Sequence, residues 1–347
     1  MILPFPQRID RAFRKQGNLQ PGRNREIKGV CRLNIYWWSL GSHWGLSKHE
    51  RGTRRNPLCL RGRAFRRTLM IKAEAEKRIE DIVHAFSGHI SFYAEHMQTH
   101  ETLTREPDRV METASVIKLP IMAATFQYLA DEHKTLSEPL TLQVEDMVDG
   151  SGILQHLSPG LSLSIKDVMT LMIIVSDNTA TNMILRQVGI PRVNRFIQSL
   201  GLSQTRLLKR IDFTIPGPIG LATSRELGMI LTQLYHRTLV NKDASDIMWD
   251  ILCRQQYNTI MTRHLPYEWI TEEDNNPPKV QIGSKSGSLE GIRNDVGIIT
   301  TPWGDYVLAI LSEHSRDLRF HIDNEALVIL PQLSRIIFDY FSPEQLS

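Results

Sequence analysis

Cysteine is scarce: Cys31, Cys59 and Cys253 are the only three in 347 residues. No disulfide framework is therefore expected to hold the fold. Cys253 falls in a helical pattern and is expected as a buried apolar side chain rather than a nucleophile. No apolar run of about 18 residues occurs, so no membrane-spanning helix is expected. The twelve histidines show no HExxH or comparable ligand spacing, which argues against metal-assisted hydrolysis. No GxGxxG or P-loop pattern is present, so neither a metal nor any other cofactor is expected. The chain also lacks a compact apolar segment followed by a small-residue cleavage site. A secretory signal is accordingly not expected, and the location expected is cytoplasmic. Internal repeats and low-complexity tracts are missing as well.

The composition that remains is that of a globular protein, 41% hydrophobic and 23% charged. Its net charge of +3 hides a division. Residues 1–69 hold 16 Lys or Arg against Asp10, Glu26 and Glu50, while the rest holds 25 basic and 35 acidic residues. Two parts follow: a basic N-terminal extension, 1–69, and a catalytic domain, 70–347. The extension shows no sustained period and scatters Arg with Trp37, Trp38 and Trp44, a combination that can bind nucleic acid. No nucleic-acid module accompanies it, so it is expected to be disordered or to reflect a start codon placed too far upstream, with no nucleic-acid partner.

Within 70–347 the pattern runs helix, strand, many helices, three strands, helix. Helical spacing covers 72–86, 115–132, 164–175, 178–188, 191–200, 223–239, 243–256 and 323–340. Thr223 and Glu226 have the spacing of a capping box. Strand character marks 89–97, 280–288, 293–300 and 306–313, with a turn at Trp303-Gly304-Asp305. Strands from both ends of the domain can join one antiparallel sheet flanked by helices, with the central helices as a second, all-helical lobe. A cleft between the two is where a substrate would sit.

Three short motifs carry chemistry. Ser115-Val116-Ile117-Lys118 opens a helical run, and a spacing of three puts serine and lysine on one face. A serine hydroxyl needs a base, and a desolvated lysine near other cations can serve. Backbone N–H groups free at the helix start can hold an oxyanion. Ser176-Asp177-Asn178 lies between two helical runs. Ser176 could pass a proton to a leaving nitrogen, and Asn178 could donate to a substrate carbonyl, although all three residues are also good helix caps. Lys285-Ser286-Gly287 lies in the first late strand. There Gly287 permits close backbone approach, Ser288 offers an N–H, and Lys285 offers a fixed positive charge; an edge strand guarded by a lysine has the same appearance. The first motif alone arises about once by chance in a chain of this length. All three in this order are far rarer.

Together they are the signature of the class A serine β-lactamase and penicillin-binding family, which this chain resembles over roughly 72–340. The run Asp149-Gly150-Ser151-Gly152-Ile153-Leu154 is similar to the family's segment between the first two motifs. The resemblance implies an α/β (α+β) two-lobe fold and a covalent acyl-enzyme on Ser115. It makes Lys118 the base, Ser176 the proton shuttle and Lys285 the carboxylate and electrostatic anchor. Asn178, Ser286, Gly287 and Ser288 are its substrate-binding positions, and the N–H groups of Ser115 and Ser288 its oxyanion hole. The substrate it implies is a small amide or ester, β-lactam or peptide-like, handled by a monomer. Three readings follow: a β-lactam hydrolase first, then a D,D-peptidase or esterase that releases β-lactams slowly, then a non-catalytic binding protein on the same fold.

The sequence departs from the family at one chemically important place. Class A β-lactamases carry a glutamate between the second and third motifs that activates the deacylating water. Residues 205–222 contain no Glu, look several residues short and hold Pro216-Gly217-Pro218. Asp212 is the only carboxylate there and the candidate replacement. Ser286 stands where Thr is commoner, Arg293 is a candidate for binding a substrate carboxylate, and Pro120 is expected to cost a helix hydrogen bond.

Overall fold

The computed structural model describes residues 70–272 and 277–342. The basic extension at 1–69, with every expectation attached to it, lies outside the described residues. The helices are α1 (Lys72–His84), α2 (Lys118–Asp131), α3 (Ile165–Ile174), α4 (Asn178–Val188), α5 (Ile190–Ser199), α6 (Ser224–Tyr235), α7 (Lys242–Leu252), α8 (Tyr267–Ile270) and α9 (Glu325–Phe341). The strands are β1 (His89–His96), β2 (Thr102–Arg105), β3 (Met111–Glu112), β4 (Pro139–Thr141), β5 (Ser162–Ser164), β6 (Arg206–Leu207), β7 (Gly220–Ala222), β8 (Gln281–Leu289), β9 (Ile292–Thr300) and β10 (Tyr306–Glu313).

Strands from both ends of the domain form one antiparallel sheet in the order β2-β1-β10-β9-β8. Both of its faces are covered, which is why β10 reads as an almost unbroken apolar run. Tyr306, Leu308 and Ile310 pack on one side with Ile79 of α1 and Leu333 and Ile337 of α9. Val307, Ala309 and Leu311 pack on the other side with Leu227 and Leu231 of α6, in the same core as the central helices. Helix α2 is the axis of that helical lobe. From Lys118 to Leu129 only Gln127 escapes full burial, the pattern of a helix enclosed on all sides.

Helix caps follow the sequence closely. Ser164 Oγ accepts from the Asp167 N–H at 3.1 Å, and Thr223 Oγ1 accepts from the Glu226 N–H at 3.1 Å. The capping box at Thr223 is only half made. Glu226 turns away to accept from the N–H groups of Ser203 (2.8 Å), Gln204 (2.9 Å) and Thr205 (2.6 Å) and from the Thr205 hydroxyl (2.6 Å). A nearly buried carboxylate thus anchors the turn that leads into β6. Cys253 also differs from expectation: it is the C-cap of α7 and is exposed, because the helix stops four residues before Gln256. The expected helix over 115–132 is two pieces, a 3-10 turn (Ala114–Ile117) followed by α2. Pro120 therefore lies in the first turn of α2, where its missing N–H costs little.

Glu226→Gln puts an amide NH2 among four donors, and it should lower unfolding stability by about 2 kcal/mol. Urea denaturation of the variant against the parent protein measures this, and equal midpoints would remove Glu226 as the anchor of 203–205.

Candidate active site

Ser115 sits in the 3-10 turn, not in the α-helix that follows. Residues three apart eclipse in that geometry, so Lys118 stacks over the same face as Ser115. The turn is entered through Ala114, which holds a left-handed φ of 46°. Such a conformation is costly for alanine and persists only where its surroundings impose it. Those surroundings are specific. Thr113 donates its N–H to Gly220 O at 3.0 Å, and Asn294 Nδ2 donates to Glu112 O and Thr113 O, both at 3.1 Å. Gly287 is pressed against the same segment: a Cβ there would lie 2.9 Å from Ser115 N and 3.0 Å from Thr113 O. The glycine of the third motif thus admits the protein's own Thr113–Val116 segment, where the sequence suggested approach by a ligand backbone.

Lys118 is wholly buried and joins the first motif to the second. Its Nζ lies 2.7 Å from Ser176 O, 3.1 Å from Ser176 Oγ and 2.8 Å from Asn178 Oδ1. Burial holds its pKa well below the lysine value of 10.5; the nearby Lys285 lowers it further, and Asp177 opposes both. A neutral amine can donate twice, to Ser176 O and Asn178 Oδ1, and keeps a lone pair to accept a hydroxyl proton. Ser176 itself holds a left-handed φ of 52°. Asp177 fixes this corner. Its Oδ1 caps α4 through the Ala180 N–H (2.8 Å), and its Oδ2 accepts from the N–H groups of Ile153 (2.7 Å) and Leu154 (2.9 Å). Gly152 passes so close that a Cβ would come within 2.3 Å of Asp177 Cγ.

The third motif lies on β8, the edge strand. Residues Glu290 and Gly291 make a two-residue turn, so Leu289 and Ile292 form a hydrogen-bonded pair and alternate residues of β8 point their N–H and C=O outward. The outward groups belong to Ser284, Ser286 and Ser288. Two of them are already used: Gln255 Nε2 reaches Ser284 O at 3.2 Å, and Lys285 Nζ reaches Ser286 O at 2.7 Å. Ser288 follows in the same register, presenting its N–H along the edge that faces Ser115. Lys285 is fully buried, so it does not guard the edge from solvent. Burial lowers its pKa to about 7 against the pull of Asp295. Asp295 is pushed up to about 7, also by burial.

Ser115 lines two adjoining cavities of about 450 and 790 Å³, which share Ser151, Tyr257, Ser288 and Phe320. Ser176, Ser286, Gly287 and Arg293 border the first, and Asn178 and Gly150 the second. Among the described residues no group of His, Cys, Asp and Glu could hold a metal ion, and no helix is long and apolar enough to cross a membrane.

Comparison with known proteins gives this arrangement its relatives. The profile of the family described as "Beta-lactamase enzyme family" matches residues 74–341. The chain belongs to the β-lactamase enzyme family. That membership makes it a serine hydrolase. It is 26% identical over 255 residues to a β-lactamase of Bacillus licheniformis, covering 71% of this chain and 78% of the relative. The crystal structure of a β-lactamase from Sphaerobacter thermophilus superposes with a TM-score of 0.69 at 28% identity, over 78% of this chain and 97% of that one. A structure titled PBP-A, 24% identical, superposes with a TM-score of 0.67 over 78% and 97% and shares the fold. These likenesses agree with the two-lobe fold expected from the sequence.

Within this β-lactamase-family chain two candidates remain, and their side chains are engaged elsewhere. Asp212 borders a different cavity, beside Val148 and Gln155. Its Oδ1 accepts from the N–H (2.9 Å) and hydroxyl (2.6 Å) of Thr214, bonds that lower its pKa. Such a carboxylate caps its own turn. Arg293 borders the Ser115 cavity, but its guanidinium is committed to backbone carbonyls: Leu289 O at 2.5 Å, Ile292 O at 2.7 Å and Arg319 O at 2.8 Å. It also stacks under Phe320 at 4.5 Å. The sequence reading missed Phe213, Tyr257 and Phe320 at the cleft mouth, since single aromatics in loops carry no period, and it missed Glu112.

Lys118→Met yields a test with a defined sign. Between its lowered value and 10.5, the unfolded chain binds the lysine proton more tightly than the fold does, so this group makes the protein less stable as pH falls. The variant lacks that slope. Its urea midpoint should therefore gain on the parent's as pH drops from about 9 to about 6; parallel midpoints would place a charged, unperturbed lysine at 118.

Proposed function

We propose that the chain opens β-lactam rings through an acyl-enzyme on Ser115. The observation that carries this reading is the buried amine of Lys118, bonded to Ser176 and Asn178 and stacked one turn from a serine that lines an open cleft. In this reading Lys118 takes the Ser115 Oγ proton as Oγ attacks the carbonyl carbon. The oxyanion settles between the N–H groups of Ser115 and Ser288, where one donor contributes about 3 kcal/mol. Collapse breaks the C–N bond, and the proton returns from Lys118 to the leaving nitrogen through Ser176. Asn178, Ser286 and Gly287 position the substrate, and Lys285 draws its carboxylate when protonated. Arg293 supports Ser288 and the hairpin from behind, with a lesser claim to the substrate carboxylate. No cofactor enters the scheme. The proposed working unit is a monomer.

One observation favours a second reading, a penicillin-binding peptidase or esterase that holds its acyl group. The stretch 205–222 contributes no carboxylate to the Ser115 cavities; it contributes Phe213 and Ile219. Incubation with benzylpenicillin, followed by intact mass and product release, separates the two. Rapid release with a transient adduct supports the first reading, and a long-lived adduct the second.

Ser115→Ala should abolish the adduct and reduce turnover by at least about a thousandfold. Turnover surviving that change would sink the assignment. Asp212→Asn should leave acyl release within about twofold of the parent rate, because that carboxylate serves its own turn.

A further inference from the structure

If residues 205–222 supply no base, the water that releases the acyl group needs one from elsewhere. Among the described residues only two carboxylates border the Ser115 cavities, Glu112 and Glu290. Glu290 stands exposed at the tip of the β8–β9 hairpin. Glu112 belongs to β3, three residues before the nucleophile, in the same cavity as Ala114, Ser115, Asn178 and Ser288. Its neighbour Met111 is buried in the core, so alternation along the strand turns Glu112 to the opposite face. Three residues of extended chain span at most about 11 Å, within which a carboxylate and a serine can share one water.

Glu112 is held but unspent. Its C=O accepts from Asn294 Nδ2, and its strand pairs Glu112 with Leu221 of β7. Its carboxylate makes no hydrogen bond or ion pair of its own with any described residue. Phe213 and Ile219, both from 205–222, line the same cavity as Glu112. Half-burial raises its pKa, opposed by Lys209 and reinforced by Glu313, which is itself paired with Arg109 at 3.2 Å. The raised value makes it a stronger base than a surface glutamate.

We propose that Glu112 is the general base that activates the water releasing the acyl group from Ser115. The proposal rests on the acyl-enzyme reading above. Glu112 removes a proton from water as the water oxygen bonds to the acyl carbon. The tetrahedral intermediate then expels Ser115 Oγ with the electron pair of the C–O bond. Oγ takes the proton from Glu112, and the free serine, the ionised carboxylate and the hydrolysed product remain.

The test is pre-steady-state reaction of the full chain with benzylpenicillin, with acylation and release followed separately by quenched intact mass. Glu112→Gln should acylate within about threefold of the parent rate, which also shows that the site has folded, and should release its acyl group at least about tenfold more slowly. Glu112→Asp, a shorter carboxylate, should recover part of that loss. Release from Glu112→Gln at the parent rate overturns the proposal. So does slowed release in Glu290→Gln with Glu112→Gln unaffected. A parent protein that forms no adduct at all would instead overturn the acyl-enzyme reading, and the Glu112 role with it.

Discussion

The buried amine of Lys118 is the constraint on which the site depends. An uncompensated ammonium at that depth would cost several kcal/mol, so the fold must either neutralise it or surround it with acceptors. It does both. Ser176 O and Asn178 Oδ1 receive the amine, and the price of that arrangement is a left-handed Ser176 and an α4 whose first residue faces inward. Asp177, wedged between them, then fixes the 149–154 loop on one side and the start of α4 on the other. Lys118, Ser176 and one cleft wall are therefore a single mechanical unit.

The opposite wall is built from backbone. The two-residue turn at Glu290–Gly291 sets which groups of β8 face outward, and Gly287 lets that edge close on the nucleophile segment. Asn294 ties the same segment to β9. Sheet register on one side and a buried side-chain network on the other converge on four residues, Thr113 to Val116, whose strained backbone neither wall would impose alone.

Much of this was legible beforehand. The strand β10 and the helix α4 begin and end where period and turn residues place them, because both are bounded by strong local signals: Trp303-Gly304-Asp305 before the strand, the Asp177 cap and Gly189 around the helix. The three motifs were readable because each puts its chemistry within a few residues. What stayed hidden depended on distant partners. The 3-10 turn at Ser115 is imposed by Gly220, Gly287 and Asn294, all more than 100 residues away. Glu226 left its capping box for a turn 21 residues upstream that no spacing rule announces. Arg293 was attractive for its place just beyond the third motif, yet three carbonyls claim it; Asp212 was attractive as the lone carboxylate of its stretch, yet it bonds Thr214 of its own turn.

The pairing of β1 with β10 carries a consequence for how the chain is made. His89 meets Glu313 and Ile90 meets Ser312, partners separated by more than 220 residues, whereas some packing within the helical lobe, such as α3 against α4, joins neighbours close in sequence. During synthesis the helical lobe can condense while β1, able to pair with β2 on one side, waits with its other edge open until the last strands leave the ribosome. The nucleophile segment is held by Asn294 and pressed by Gly287, both of which arrive with that final third. That corner is thus assembled last, and a nascent chain interrupted before β8 would carry Ser115 and Lys118 without the wall that faces them.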